Sequence, residues 1–169
     1  MPTDEILIQI VDSAFAVAAR RSGAWLLCRP GCTQCCMGEF PITQLDALRL
    51  KHALAELAQS DPPRAARVHE RVRCGPGDDD PCVALDPETG TCDLYAARPI
   101  TCRTAGPPVD CGDQGLAVCE LCYEGASDEQ IAACAVAVDP DGLEESLLAE
   151  LEQRSGLRGE TTVTLALSA

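Results

Sequence analysis

Twelve of the 169 residues are cysteine, and the fate of their sulfur atoms limits what this chain can fold into more than any other feature. Four fall within nine residues (Cys28, Cys32, Cys35, Cys36) and three follow at ten-residue steps (Cys82, Cys92, Cys102). Cys111, Cys119 and Cys122 come next, with Cys74 and Cys134 apart from these runs. Such a chain either staples itself with disulfides or gathers thiolates around a metal, and the redox compartment separates the two outcomes. The opening MPTDEILIQIVDSAFAVAARR has no basic leader and is interrupted by Asp4, Glu5 and Asp12. The expectation is therefore no export signal, a cytoplasmic location, reduced thiols and metal ligation. No stretch approaches the roughly 18 apolar residues of a membrane span. Thirteen Lys and Arg against 27 Asp and Glu leave a net charge of −14, which argues against nucleic acid or an anionic membrane as partner.

Hydrophobic periodicity predicts helices on both sides of the cysteine runs. Apolar residues make up 46% of the chain, too many for a disordered one. The aromatics are Phe15, Trp25, Phe40, Tyr95 and Tyr123, so the core must come from Leu, Ile, Val and Ala. Residues 4–20 place Leu7, Ile10, Val11, Ala14 and Ala18 on one helical face. Arg29-Pro30-Gly31-Cys32 suits a type II turn inside a cysteine knuckle over residues 28–42. Thr43 and Asp46 form a capping pair for a second helix with Leu45, Leu48, Leu54 and Leu57 facing inward. A third starts near Asp61, with Pro62 and Pro63 in its first turn and Val68 and Val72 inward.

Residues 82–95 read as a short hairpin, Val83-Ala84-Leu85 against Cys92-Asp93-Leu94-Tyr95. Ser127 and Gln130 cap a fourth helix running through Val138. A fifth covers 143–155 with Leu143, Leu147 and Leu151 inward, and Gly156 stops it. Thr161 to Leu167 alternates like a half-buried strand. The fold class expected is a small irregular α+β metal-binding domain of residues 1–169, with helical flanks around a turn-rich cysteine core.

Four thiols around a Pro-Gly turn can converge on one centre, and thiolates select zinc, copper(I) or iron–sulfur clusters over calcium or magnesium. The adjacent pair Cys35-Cys36 feeds two sites or one larger cluster more naturally than one tetrahedron, because neighbouring side chains diverge in strand or helix. If a regular hairpin pairs Leu85 with Cys92, Cys82 lies three residues further along, roughly 10 Å away. Those two thiols then share an ion only if the hairpin is irregular. Cys119-x2-Cys122 is a zinc half-site spacing that needs partners.

The run Cys28-Arg29-Pro30-Gly31-Cys32-Thr33-Gln34-Cys35-Cys36 resembles the signature of the CxxCxxCC family, also called YkgJ-type, of zinc- or iron-chelating cysteine-cluster domains. Pro81-Cys82-Val83-Ala84-Leu85, Gly90-Thr91-Cys92-Asp93-Leu94-Tyr95 and Arg98-Pro99-Ile100-Thr101-Cys102-Arg103 match the family's later segments in order and spacing, over roughly residues 28–111. The resemblance implies metal ligation by Cys28, Cys32, Cys35, Cys36, Cys82, Cys92 and Cys102, joined by Cys111. It implies that Arg98 and Arg103 neutralise thiolate charge beside the site. Tyr95 is expected to pack the hairpin onto it. The first gap of this chain is three residues where the family name has two, and Cys119, Cys122 and Cys134 lie beyond the core signature. Cys119 and Cys122 enter the expected ligand set by their spacing.

Blander roles suit the remaining candidates. Cys74 reads as a bystander and Cys134 as core packing. His52 and His69 read as solvated helix positions. Asp78-Asp79-Asp80 lacks the spaced ligands of a calcium loop and reads as a solvated loop. No phosphate-binding or dinucleotide-binding glycine pattern occurs. The expected function is a metal-binding module for zinc or iron. The alternatives are an iron–sulfur redox or accessory protein, in keeping with the similar cysteine domain of flagellin lysine methylases, and a partner-binding module stapled by metal.

Overall fold

The computed structural model describes residues 2–77, 80–112 and 115–168. The expectation for Asp78 and Asp79 lies outside the described residues. In chain order the elements begin with α1 (Pro2–Ser22), β1 (Ile42–Thr43), α2 (Gln44–Ser60) and α3 (Pro62–Cys74). A hairpin follows, β2 (Leu85–Asp86) and β3 (Thr91–Cys92), then α4 (Ile100–Arg103), β4 (Val109–Asp110) and β5 (Leu116–Ala117). The chain ends with α5 (Asp128–Cys134), α6 (Leu143–Ser155), β6 (Glu160–Thr161) and α7 (Val163–Ser168). These elements form two compact units, one of Met1–Arg29 with Ile100–Leu147, the other of Pro30–Pro99 with Leu148–Ala169.

In the Pro30–Pro99 unit, α2 and α3 start where their caps dictate. Thr43 accepts from the Asp46 amide while the Asp46 carboxylate accepts from the Thr43 amide, a complete capping box. Asp61 accepts from the Arg64 amide, and Pro62 and Pro63 occupy the first turn of α3, where no amide donor is needed. Leu50 and Leu54 of α2 pack with Ala65, Val68 and Val72 of α3, and with Val163, Ala166 and Leu167 of α7. Ile42, Val83, Ala84 and Leu94 complete this core, which is aliphatic as the scarcity of aromatics requires. The unit closes with an antiparallel pairing of β1 and β6, Ile42 opposite Thr161.

In the other unit, α1 buries Leu7, Val11 and Ala18 completely, as its periodicity predicts. Arg103 on α4 is buried and donates to the Asp12 carboxylate of α1 at 2.9 and 3.0 Å. β4 and β5 pair antiparallel, Val109 opposite Ala117. α5 begins at the expected Ser127 capping box, with Gln130 returning the bond.

Three expectations need correction. Residues 163–168 are helix, not strand, because Thr162 caps them: its hydroxyl accepts from the Leu165 amide and its carbonyl from the Ala166 amide. The buried set becomes Val163, Ala166 and Leu167, a helical spacing, and Leu165 is exposed. α5 stops at Cys134 rather than Val138, because the Val136 amide and carbonyl are engaged by Pro108 and Asp110. Leu48 faces outward and Leu50 takes the core position instead.

Candidate metal centre

Five of the expected ligands, Cys32, Cys35, Cys36, Cys82 and Cys92, belong to the Pro30–Pro99 unit. The knuckle turns at Gly31, whose φ of +86° suits the third position of a type II turn. The backbone then tightens into a short 3-10 turn, Gln34–Cys36, closed by the Cys36 amide on the Thr33 carbonyl at 2.8 Å. From there the chain bridges to the loop before the hairpin. Met37 pairs with Pro81, the Gly38 amide reaches the Asp80 carbonyl at 3.0 Å, and the Cys82 amide reaches the Cys36 carbonyl at 2.7 Å. Backbone hydrogen bonds thus place Cys82 beside the Cys35-Cys36 pair.

The hairpin keeps the expected register, with Leu85 opposite Cys92, but it is irregular where it matters. The Leu85 amide bonds back to the Cys82 carbonyl at 2.8 Å, so residues 82–85 form a turn rather than an extension of the strand. That turn folds Cys82 toward Cys92, close enough for its charge to act on the Cys92 thiol.

The thiols of this unit differ in acidity. A hydrogen bond from Cys36 pulls the Cys35 thiol down to about 6, and the positive charge of Arg98 adds to the effect. Burial pushes Cys92 up to about 11 and raises Cys82 as well. Arg98 stacks over the Tyr95 ring, 3.7 Å from its centroid, and donates from Nε to the Tyr95 carbonyl at 3.1 Å. Its charge favours the thiolates of both Cys35 and Cys92. Tyr95 itself is 61% exposed and acts as a shelf for Arg98 rather than as a buried hairpin contact. In reduced, metal-free protein Cys35 should therefore alkylate first at neutral pH, its rate falling as pH drops through about 6. Cys92 should remain slow until pH approaches about 11. Peptide mapping of iodoacetamide labelling against pH checks this; a Cys35 midpoint at the ordinary thiol value contradicts it.

Cys28, Cys102, Cys111, Cys119 and Cys122 belong to the other unit. A Cβ on Gly106 would stand 2.7 Å from the Cys28 Sγ, and the Gly106 carbonyl accepts from the Cys119 amide at 3.3 Å. Gly106 also has φ +121°, which side chains rarely adopt. Gly106→Ala should cost about 1–3 kcal/mol in urea unfolding and displace Cys28; an unchanged midpoint contradicts the close approach. Cys119 and Cys122 close a turn, with the Cys122 amide on the Cys119 carbonyl at 2.9 Å. Cys122 is buried with Tyr123 and Cys134, against Trp25. Tyr123 is non-glycine yet has φ +65°, its hydroxyl donates to Ser22, and its ring stacks on Trp25. Cys134 is core packing there, as expected.

Cys102 is half-buried on α4, and the neighbouring Arg103 donates to Asp12. Cys111 is exposed, its Sγ 3.7 Å from the Val109 carbonyl. Cys74 is exposed at the end of α3 and faces Glu70, and His52 and His69 are exposed as expected.

Sequence reasoning missed one group altogether. Asp93 is buried directly after Cys92, and its two oxygens accept from Arg64 and Arg71 of α3. Arg71 also donates from Nε to the Val83 carbonyl at 2.7 Å, directly after Cys82. The signal was the seven-residue spacing of Arg64 and Arg71, which puts both on one helical face.

The family model CxxCxxCC, described as "Putative zinc- or iron-chelating domain", matches residues 27–123. The chain belongs to the CxxCxxCC family. No curated protein and no solved structure matches it. The CxxCxxCC match runs past Cys111 to take in Cys119 and Cys122, and leaves Cys134 outside. Among the described residues, no three His, Cys, Asp or Glu side chains already meet as an ion-holding group. The thiols of the Pro30–Pro99 unit meet in pairs instead, Cys35 with Cys36 and Cys82 near Cys92. The donor set is sulfur throughout with a guanidinium beside it, which fits the thiophilic metals of the CxxCxxCC family.

Proposed function

We propose that this protein is a thiolate chelator of zinc or iron, with Cys35, Cys36, Cys82 and Cys92 as the central donors and Cys32 beside them. The observation that supports this reading most is the Cys82 amide bonded to the Cys36 carbonyl, which joins two thiol pairs from segments 46 residues apart in sequence. Backbone bonds of this kind hold donors near one another before an ion arrives, so less ordering is left for the ion to impose. Arg98 offsets part of the negative charge that four thiolates would bring. Zinc would act as a closed structural centre, whereas an iron–sulfur cluster would add redox chemistry. The Cys35-Cys36 adjacency favours a multinuclear centre as the second reading.

Cys28, Cys102, Cys111, Cys119 and Cys122 are candidate donors within their own unit. Serine replacements made one at a time identify which thiols the ion uses. The deciding experiment is anaerobic purification followed by metal analysis and an optical spectrum. Stoichiometric zinc in a colourless protein supports the closed site; a brown protein absorbing at about 400 nm supports the cluster. Protein that retains neither metal, and takes up neither on reconstitution, overturns the proposal.

A further inference from the structure

Helix α3 reaches both arms of the hairpin that carry Cys82 and Cys92. Arg71 donates from Nε to the Val83 carbonyl and from Nη2 to the Asp93 carboxylate, so one guanidinium grips the residue that follows each thiol. Asp93 has 1% of its side chain exposed, and its second oxygen is taken by Arg64, about two turns earlier on the same face of α3. The carboxylate is therefore held on both oxygens and has no freedom to swing. The hairpin needs such an anchor, because its ladder is two residues long on each strand, too short to hold a register unaided. Arg71 is suited to the task where lysine is not, since its planar fork presents donors in two fixed directions.

We infer that Arg71 is a positioning residue for the metal centre, holding Cys82 through Val83 and Cys92 through Asp93 at one fixed separation. This rests on the reading of those thiols as donors, but the grip itself is testable without metal. The two arms are held by different bonds, and that gives the inference a signature that a general loss of stability does not share. Asp93→Asn weakens the Cys92 arm and leaves the Arg71–Val83 bond in place; Arg71→Gln frees the Cys82 arm and leaves the Cys92 arm on Arg64 alone.

The test uses the full chain, reduced and metal-free, labelled with iodoacetamide and read thiol by thiol by mass spectrometry. It is followed by Co²⁺ titration of the same proteins. Val68→Ala, on the same helix and fully buried, is the control for destabilisation alone. Arg71→Gln should speed labelling of Cys82 and Cys92 about tenfold, the change in open population that losing one charge-assisted hydrogen bond produces. Asp93→Asn should speed Cys92 alone. Labelling of Cys74 should not change in either. Co²⁺ affinity, read from thiolate-to-cobalt charge-transfer absorption, should fall about 10- to 100-fold in Arg71→Gln, as for other groups that orient ligands. It should hold in Val68→Ala. Equal labelling of both thiols in Asp93→Asn, or the same response in Val68→Ala as in Arg71→Gln, overturns the inference. If wild-type protein binds no Co²⁺ while the labelling pattern holds, the metal reading fails and the grip of Arg71 stands.

Discussion

Zinc added to the reduced, metal-free protein will raise its unfolding free energy by about 4 kcal/mol once free metal stands about a thousandfold above its dissociation constant. The increment follows from mass action on a site that exists in the folded chain and is dispersed in the unfolded one. It should be visible because regular secondary structure holds the segments concerned only lightly: a two-residue ladder, a single 3-10 turn and a few backbone bridges, beside the Arg64 and Arg71 anchors on α3. The paired replacement Cys82→Ser with Cys92→Ser should abolish the increment, read against the metal-free stability of the same variant, since both thiols pack against the core. Both thiols must give up a proton to bind, and burial makes that harder for each. The increment should therefore grow as pH rises above neutrality and vanish in mild acid, where protons compete for sulfur. Guanidinium unfolding with and without zinc, at two pH values, checks the size and the sign. A zinc increment that survives in the double variant would place the ion elsewhere.

Leu50→Ala will cost about 2–5 kcal/mol, and Leu48→Ala, two residues earlier on the same helix, will change stability by no more than about 0.5 kcal/mol. Leu50 is 1% exposed and packs between α2, α3 and α7, so its removal leaves a void that the surrounding helices cannot fill. Leu48 is 39% exposed and lies about 160° around the helix from Leu50. Urea unfolding of the two variants reads the difference directly. Comparable losses would mean that α2 is rotated from the orientation described.

That contrast marks where sequence patterns run out. Leucines at 45, 48, 54 and 57 look equivalent along α2, and helical periodicity alone admits more than one face. Contact with α3 and α7 selects the stripe through Ala47, Leu50 and Leu54. The alternation from Thr161 to Leu167 is a fair strand pattern, yet the cap at Thr162 turns residues 163–168 into helix. Likewise, nothing local in 135–138 forbids helix; α5 ends because another segment takes up the Val136 backbone.

The starts of α2, α3 and α5, the extent of α1 and α6, and the turn at Gly31 were written in short-range chemistry. A cap, a proline or a glycine acts on neighbours within one helical turn, so a few adjacent residues suffice to specify it. The identity of the donor atoms was equally plain, since sulfur spacing needs no coordinates. Which thiols become neighbours was not. The turn at 82–85, the bridge from Cys82 to Cys36 and the two-armed grip of Arg71 join residues far apart in sequence. Bonds of that reach depend on tertiary packing, because only the folded arrangement of the chain brings their donors and acceptors within about 3 Å.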